Sequence, residues 1–287
     1  MQNDRSLSVD VETSFADALG RRVTLSGPPQ RIVSLVPSLT EWLFSVGAGE
    51  RVIGVTDYCS EPAAALAGIA RVRGTKNPDR ARIVALRPDL VIVDQEENRE
   101  PDVLALSAAG IPVYVTTIRS VADVPAQLGR LAFALGCAAA AAPGLAAISA
   151  AQRAAECAIT PHRPTLAFIW RDPWMAIGAD TYADDLLRLC GAANLGRRLP
   201  GRYPRAPVAT FMALQPDLIL LPSEPYAFSE HDRDAFAAFA DTPAVRNGRI
   251  LLCDGMALTW PGSRTAAALQ YFRELIMYGR SSGLDGT

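Results

Sequence analysis

Histidine is nearly missing from this chain: His162 and His231 are its only two, and its five cysteines contain no C-x-x-C pair. A zinc or iron–sulfur site built from protein ligands alone has almost no material here, so a metal, if bound, is expected to arrive inside its own ligand. Cys59, Cys137, Cys157, Cys190 and Cys253 are odd in number and widely scattered, which reads as inert, partly buried thiols rather than a disulfide framework. Lysine is reduced to Lys76, and 28 basic against 30 acidic residues leave a formal charge of only -2. No basic field for nucleic acid exists, and no nucleic-acid partner is expected. The uncharged run Leu131 to Ala151 is mostly alanine and is broken by Pro143-Gly144, a poor membrane span. Met1-Gln2-Asn3-Asp4-Arg5 and Val11-Glu12 contain no apolar run of the secretory kind. The expected location is therefore cytoplasmic, with a periplasmic or cell-surface protein as the alternative if the true start lies upstream. Nucleophile-elbow, Walker and dinucleotide glycine motifs are missing too, and neither histidine has a nucleophile beside it, so no enzyme and no catalytic residue is expected.

What is present is a globular composition, 49% hydrophobic and 20% charged, with an internal echo. Ile83 to Val93 reads IVALRPDLVIV and Phe211 to Leu221 reads FMALQPDLILL, aligned without a gap at an offset of 128. Each predicts a helix end, a Pro-Asp turn and a strand covered on both faces. Further strands are predicted at Ile32 to Leu35, Val52 to Val55, Val113 to Thr116, Thr165 to Trp170 and Arg249 to Cys253. Ser38 and Glu41 read as a capping box, Asp180 or Thr181 as the cap of a helix ending at Gly191, and Ser263 as the cap of Arg264 to Tyr278. Helices are predicted over Val121 to Leu135, stopped by Gly136, and over Ala138 to Ala158, with Pro143 tolerated near the first turn. The fold class is thus α/β: two Rossmann-like lobes with parallel sheets joined by a long helix. The predicted organisation is an N-terminal extension over 1–30, lobes over 31–119 and 161–278, linking helices over 120–160, and a loose tail over 279–287.

Loops after the C-terminal ends of parallel strands face the ligand crevice in such folds. They carry Ser38 and Thr40, Asp57 and Tyr58, Lys76 and Asn77, Glu96 and Asn98, Trp170, Arg171 and Trp174, Glu224 and Tyr226, and Trp260 with Arg264. Aromatic faces with a few charged handles suit a bulky, flat small molecule. Each also has a plainer reading. The tryptophans can be packing, Ser38 can be a cap, and Tyr58 and Tyr226 can cover a lobe edge. Lys76 can sit in a turn. Glu96 and Glu224, at the same 128-residue offset, are either solvated loop acids or paired cleft carboxylates.

The segments RIVSLVPSLTEWLFSVGAGERVIGVTDYC, GTKNPDRARIVALRPDLVIV, AAGIPVYV and AVRNGRI resemble the substrate-binding proteins of vitamin B12 and iron-siderophore ABC importers, over about Arg31 to Leu275. The resemblance implies a monomeric, non-catalytic binder that holds a corrinoid, or else a ferric siderophore or heme, between its lobes, with no intrinsic cofactor and no metal ligands. Tyr58, Trp174 and Trp260 would be its aromatic walls. An ABC permease is the implied partner. The acids that dock cobalamin binders onto it are replaced by Ala70 and Ala209, with Glu61 or Glu224 as substitutes. A cytoplasmic relative that binds or processes a corrinoid or heme-like cofactor, as enzyme or chaperone, is the alternative.

Overall fold

The structure is a computed structural model that describes residues 13–158 and 162–279. The signal-sequence reading of Met1 to Glu12 and nearly all of the 279–287 tail lie outside these residues. The chain forms two compact units. Unit 1 is the chain up to Thr117 together with Gln127–Ala142; unit 2 is Ile118–Ala126 together with the chain from Pro143.

Unit 1 opens with the hairpin β1 (Thr13–Ala16) and β2 (Arg22–Leu25). Its main sheet contains β3 (Ile32–Ser34), β4 (Val52–Val55), β5 (Ala70–Arg71), β8 (Leu90–Asp94) and β9 (Val113–Thr116), in the all-parallel order β5-β4-β3-β8-β9. The short hairpin β6 (Arg73–Gly74) and β7 (Asn77–Pro78) stands beside it. Helices α1 (Pro37–Ser45), α2 (Arg80–Leu86) and α3 (Glu100–Ala108) connect the strands. Every residue of β8 is buried, and Val91 and Val93 pack with Ile83 of α2 and Val103 and Leu106 of α3. That two-sided burial is why the strand reads as an unbroken apolar run.

The expected capping box is not formed. Proline lacks the N–H that the first helical turn leaves unpaired, so Pro37 starts α1 one residue early, and Ser38 falls inside it behind an N-cap, Val36, without a side-chain bond. Asp79 does cap α2, accepting from the Arg82 N–H at 3.0 Å.

Helices α4 (Asp123–Ala134) and α5 (Ala138–Cys157) each run from one unit into the other. Gly136, at a φ of 70°, makes the left-handed turn between them. Pro143 lies inside α5, a turn later than expected, and the helix continues past it.

Unit 2 is built on β10 (Arg163–Trp170), β13 (Leu218–Pro222) and β14 (Ile250–Cys253), all parallel. On its other side β10 pairs first with parallel β12 (Ala192–Asn194) and then with antiparallel β11 (Met175–Ala176). The sheet is parallel, as expected, apart from β11, which runs antiparallel because the Asp172-Pro173 turn folds the chain straight back on β10. Helices α6 (Tyr182–Leu189), α7 (Val208–Met212), α8 (Pro243–Arg246), α9 (Gly255–Thr259) and α10 (Thr265–Tyr278) complete the unit. Thr181 caps α6 through a 3.1 Å bond from Asp184 N–H. Ser263 does not cap α10; the hydroxyl of Thr265 instead accepts from Gly262 N–H at 3.0 Å, so the turn closes one residue later.

The internal echo has a physical basis. Arg87 and Gln215, at the 128-residue offset, both take positive φ, and the N–H groups of Asp89 and Asp217 donate to Arg31 O and Pro164 O at the mouth of the neighbouring strand. The Asp89 carboxylate accepts the N–H groups of Gln30 and Arg31 at 2.7 and 2.9 Å, whereas Asp217 binds the Arg249 guanidinium at 2.7 Å.

Candidate functional site

In unit 1 the residues past the strand ends separate into buried struts and exposed groups. Thr40 is a strut: its hydroxyl donates to Val36 O at 2.9 Å and lies 2.8 Å from Ser34 Oγ and 3.2 Å from Cys59 Sγ. Burial pushes the Cys59 thiol up, against hydrogen bonds to Thr40 and Thr56. Asn98 is another. Its amide donates to Leu35 O and Thr75 O, both at 3.1 Å, and its carbonyl accepts from Asp94 N–H at 2.9 Å. Thr40 and Ser38 are buried, and both Asn98 donors are engaged with backbone carbonyls.

Sequence reasoning missed Asp94, a buried acid at the end of β8. Burial raises its pKa, opposed by hydrogen bonds from the Thr116 hydroxyl at 2.7 Å and the Glu96 N–H at 2.8 Å. The signal was there: an acid ending an otherwise apolar strand.

The exposed set is Asp57, Tyr58, Lys76 and Asn77, with Glu96 half-buried. Tyr58 is 66% exposed, its ring lying over Gly74, where a Cβ would meet Cε2 at 3.1 Å. Glycine in the β6–β7 hairpin thus lets the ring rest on backbone. Lys76 donates from Nζ to Glu96 O, tying the hairpin to the loop after β8. Of the docking positions, Ala70 lies in β5, and Glu61 accepts from Ala63 N–H at 3.3 Å.

In unit 2 an aromatic cluster runs from the core to the surface. Phe168 and Phe211 are fully buried with centroids 5.1 Å apart; Trp174 meets Phe168 at 4.9 Å and stacks on Phe228 at 5.9 Å. Tyr226 lies 4.6 Å from Phe228 and meets Trp170 edge-on at 5.8 Å. Trp170 is 41% exposed and forms the outer end of this chain of rings. Trp174 is turned into the cluster, with the Arg171 guanidinium 5.7 Å from its ring centre. Arg171 itself is held by Asp232. Burial works against the Asp232 carboxylate, but hydrogen bonds from Ser229 and Arg171 outweigh it and hold its pKa low.

Glu224, Trp260 and Arg264 come together in a second group. Thr259 Oγ1 donates to Glu224 Oε1 at 2.9 Å, the Trp260 indole bonds the same carboxylate, and the Arg264 guanidinium sits 5.6 Å over the Trp260 ring. Burial raises the Glu224 pKa, and these hydrogen bonds oppose it. Glu224 is therefore an anchored acid rather than a solvated one. Trp260 is only 6% exposed; its N–H bonds Glu224 and its face meets the Arg264 guanidinium. Ala209 is exposed on α7.

Among the described residues no group of three or more His, Cys, Asp or Glu side chains is arranged to hold a metal ion. No helix of the described residues is long and apolar enough to cross a membrane.

A family model described as periplasmic binding protein matches residues 32–257. A vitamin B12-binding protein of Vibrio campbellii is 24% identical over 257 residues, covering 85% of this chain and 88% of that one. The periplasmic vitamin B12 binding protein BtuF of Vibrio cholerae superposes with a TM-score of 0.76 at 21% identity, covering 87% of this chain and 97% of its own. The periplasmic heme-binding protein RhuT from Roseiflexus sp. RS-1, in its apo form, superposes at 0.73 with 26% identity, covering 85% and 96%. The expectation of a cytoplasmic protein is overturned by these matches. It rested on the first dozen residues alone, and the periplasmic family is matched by the residues that follow.

Proposed function

Because this chain belongs to the periplasmic binding protein family, we propose that it binds a flat metal chelate, a corrinoid first and heme second, and delivers it to an ABC importer without chemistry of its own. Vitamin B12-binding relatives and heme-binding structural neighbours supply the two candidate ligands. The observation that carries the reading is the pair of exposed rings, Tyr58 in unit 1, three residues past the end of β4, and Trp170 in unit 2, the last residue of β10, each at the C-terminal end of a parallel strand. Exposing large rings to water is unfavourable unless a partner covers them, and a macrocycle is such a partner.

The anchored Glu224 and the lone amine of Lys76 hold structural bonds, which favours binding over turnover. The permease is the proposed protein partner. With alanine at positions 70 and 209, docking through Glu61 or Glu224 is the proposed substitute, and Glu61 is the more available of the two.

Equilibrium titration with cyanocobalamin, hemin and a ferric siderophore, read in the visible spectrum and by tryptophan fluorescence, tests this reading. One guest is expected to bind with submicromolar Kd. Failure of all three to bind below about 10 μM would remove it.

A further inference from the structure

Residues two apart on a strand share a face, so regular β10 geometry would send Trp170 into the core behind Leu166 and Phe168. The ladder to β11 does otherwise. Phe168 pairs with Ala176 but Trp170 pairs with Met175, so two residues of β10 answer one of β11. This is a β-bulge, whose effect is to re-aim the side chain beyond it. Phe168 and Ala176 accordingly belong to the buried cluster, while Trp170 is exposed.

The row continues across the sheet edge. Met175 pairs antiparallel with Arg205, and Ala176 N–H to Pro204 O at 3.1 Å and Ala206 N–H to Trp174 O at 3.2 Å hold that segment in place. Directly opposed residues of antiparallel strands present their side chains on one face. Pro204 is buried and Ala206 packs on the core, so Arg205 between them points away from that core and is exposed, beside half-buried Met175, the residue that also pairs with Trp170.

Other arginines nearby are taken: Arg171 by Asp232, Arg119 and Arg202 by Asp180, and Arg197 by Asp184. Among the described residues Arg205 has no carboxylate partner. An unpaired guanidinium in register with an exposed indole matches a flat guest that carries an anionic group on its rim.

We propose that Arg205 is the anion-recognising residue of unit 2, taking a carboxylate or phosphate of a guest whose ring system lies on Trp170. This rests on the binding function proposed above and deepens it by requiring an anionic periphery. Two sources fit the chemistry: the propionates of heme and the phosphodiester of cobalamin.

The test uses the whole protein and four guests: hemin, its dimethyl ester, cyanocobalamin, and dicyanocobinamide, which lacks the phosphodiester. For the guest that binds, Arg205→Gln is expected to weaken the anionic form about ten-fold or more, and Arg205→Lys less. The form lacking the anion should bind wild type and Arg205→Gln equally. The pair that shows this difference identifies the source of the anion. Unchanged affinity for the anionic guest, or equal loss on both members of a pair, would overturn the proposal while leaving the binding function standing. If wild type binds no guest, both fall together. Thermal melting of the variants, expected to be unchanged at an exposed position, separates loss of recognition from loss of fold.

Discussion

Glu224 shows how one buried acid links packing to pH. Its pKa is raised by burial, so between its unfolded and folded values the native state holds the proton more tightly. That contribution is complete below the unfolded value and is lost as pH rises through the folded one. Glu224→Gln keeps an acceptor for Thr259 and removes the charge. It is expected to raise Tm at pH 7.5 by about 1–3 °C and flatten its fall from about pH 4.5 upward, measured by circular dichroism melts across pH. The thiols differ by exposure in the same way. Cys190 is pushed up to about 12 by burial, Cys253 is raised by burial too, and Cys157 is exposed. Iodoacetamide at pH 8 is expected to label Cys157 in the native protein and spare Cys190 and Cys253, as peptide mapping would show. The sequence reading of unpaired, mainly inert thiols needed only their scatter. Which one stays reactive depends on exposure, and a linear pattern does not carry that.

At the scale of elements, strand positions were legible because parallel strands buried on both faces leave unbroken apolar runs, as in Leu90–Asp94 and Leu218–Pro222. Direction within a loop was not legible. Trp170 ends strand β10 and Trp260 follows helix α9, yet a bulge turns one outward and a carboxylate draws the other in. Trp170→Ala is therefore expected to weaken ligand binding about ten-fold with little change in Tm. Trp260→Ala should lower stability by about 3–5 kcal/mol, read by urea unfolding. The bonds of Asn98 were not legible either, because asparagine in a loop looks the same in sequence whether it faces solvent or bonds backbone. Its three bonds join the ends of β3 and β8 to the hairpin turn at Thr75, so Asn98→Ala is expected to cost about 2–3 kcal/mol in the same assay.

For the whole molecule, the echo at 128 residues made two similar α/β units readable, and the resemblance to chelate-binding proteins agreed with the family match. Cellular location was not readable from the first residues, because that argument drew on a short stretch and ignored the fold that follows. If the chain binds a chelate, saturating it at about 100 times Kd is expected to stabilise the native state by about 2.7 kcal/mol, visible as a concentration-dependent rise in Tm. The path of the backbone has a practical consequence. It passes from one unit to the other after Thr117, after Ala126 and after Ala142. No single cleavage point frees either half intact. A fragment ending at Thr117 would forfeit the stretch bearing Leu128, Leu131 and Leu135, all fully buried, and the Leu135 carbonyl that the Arg51 guanidinium grips at 2.9 Å. Anyone wishing to study the halves separately would have to splice the sequence rather than truncate it.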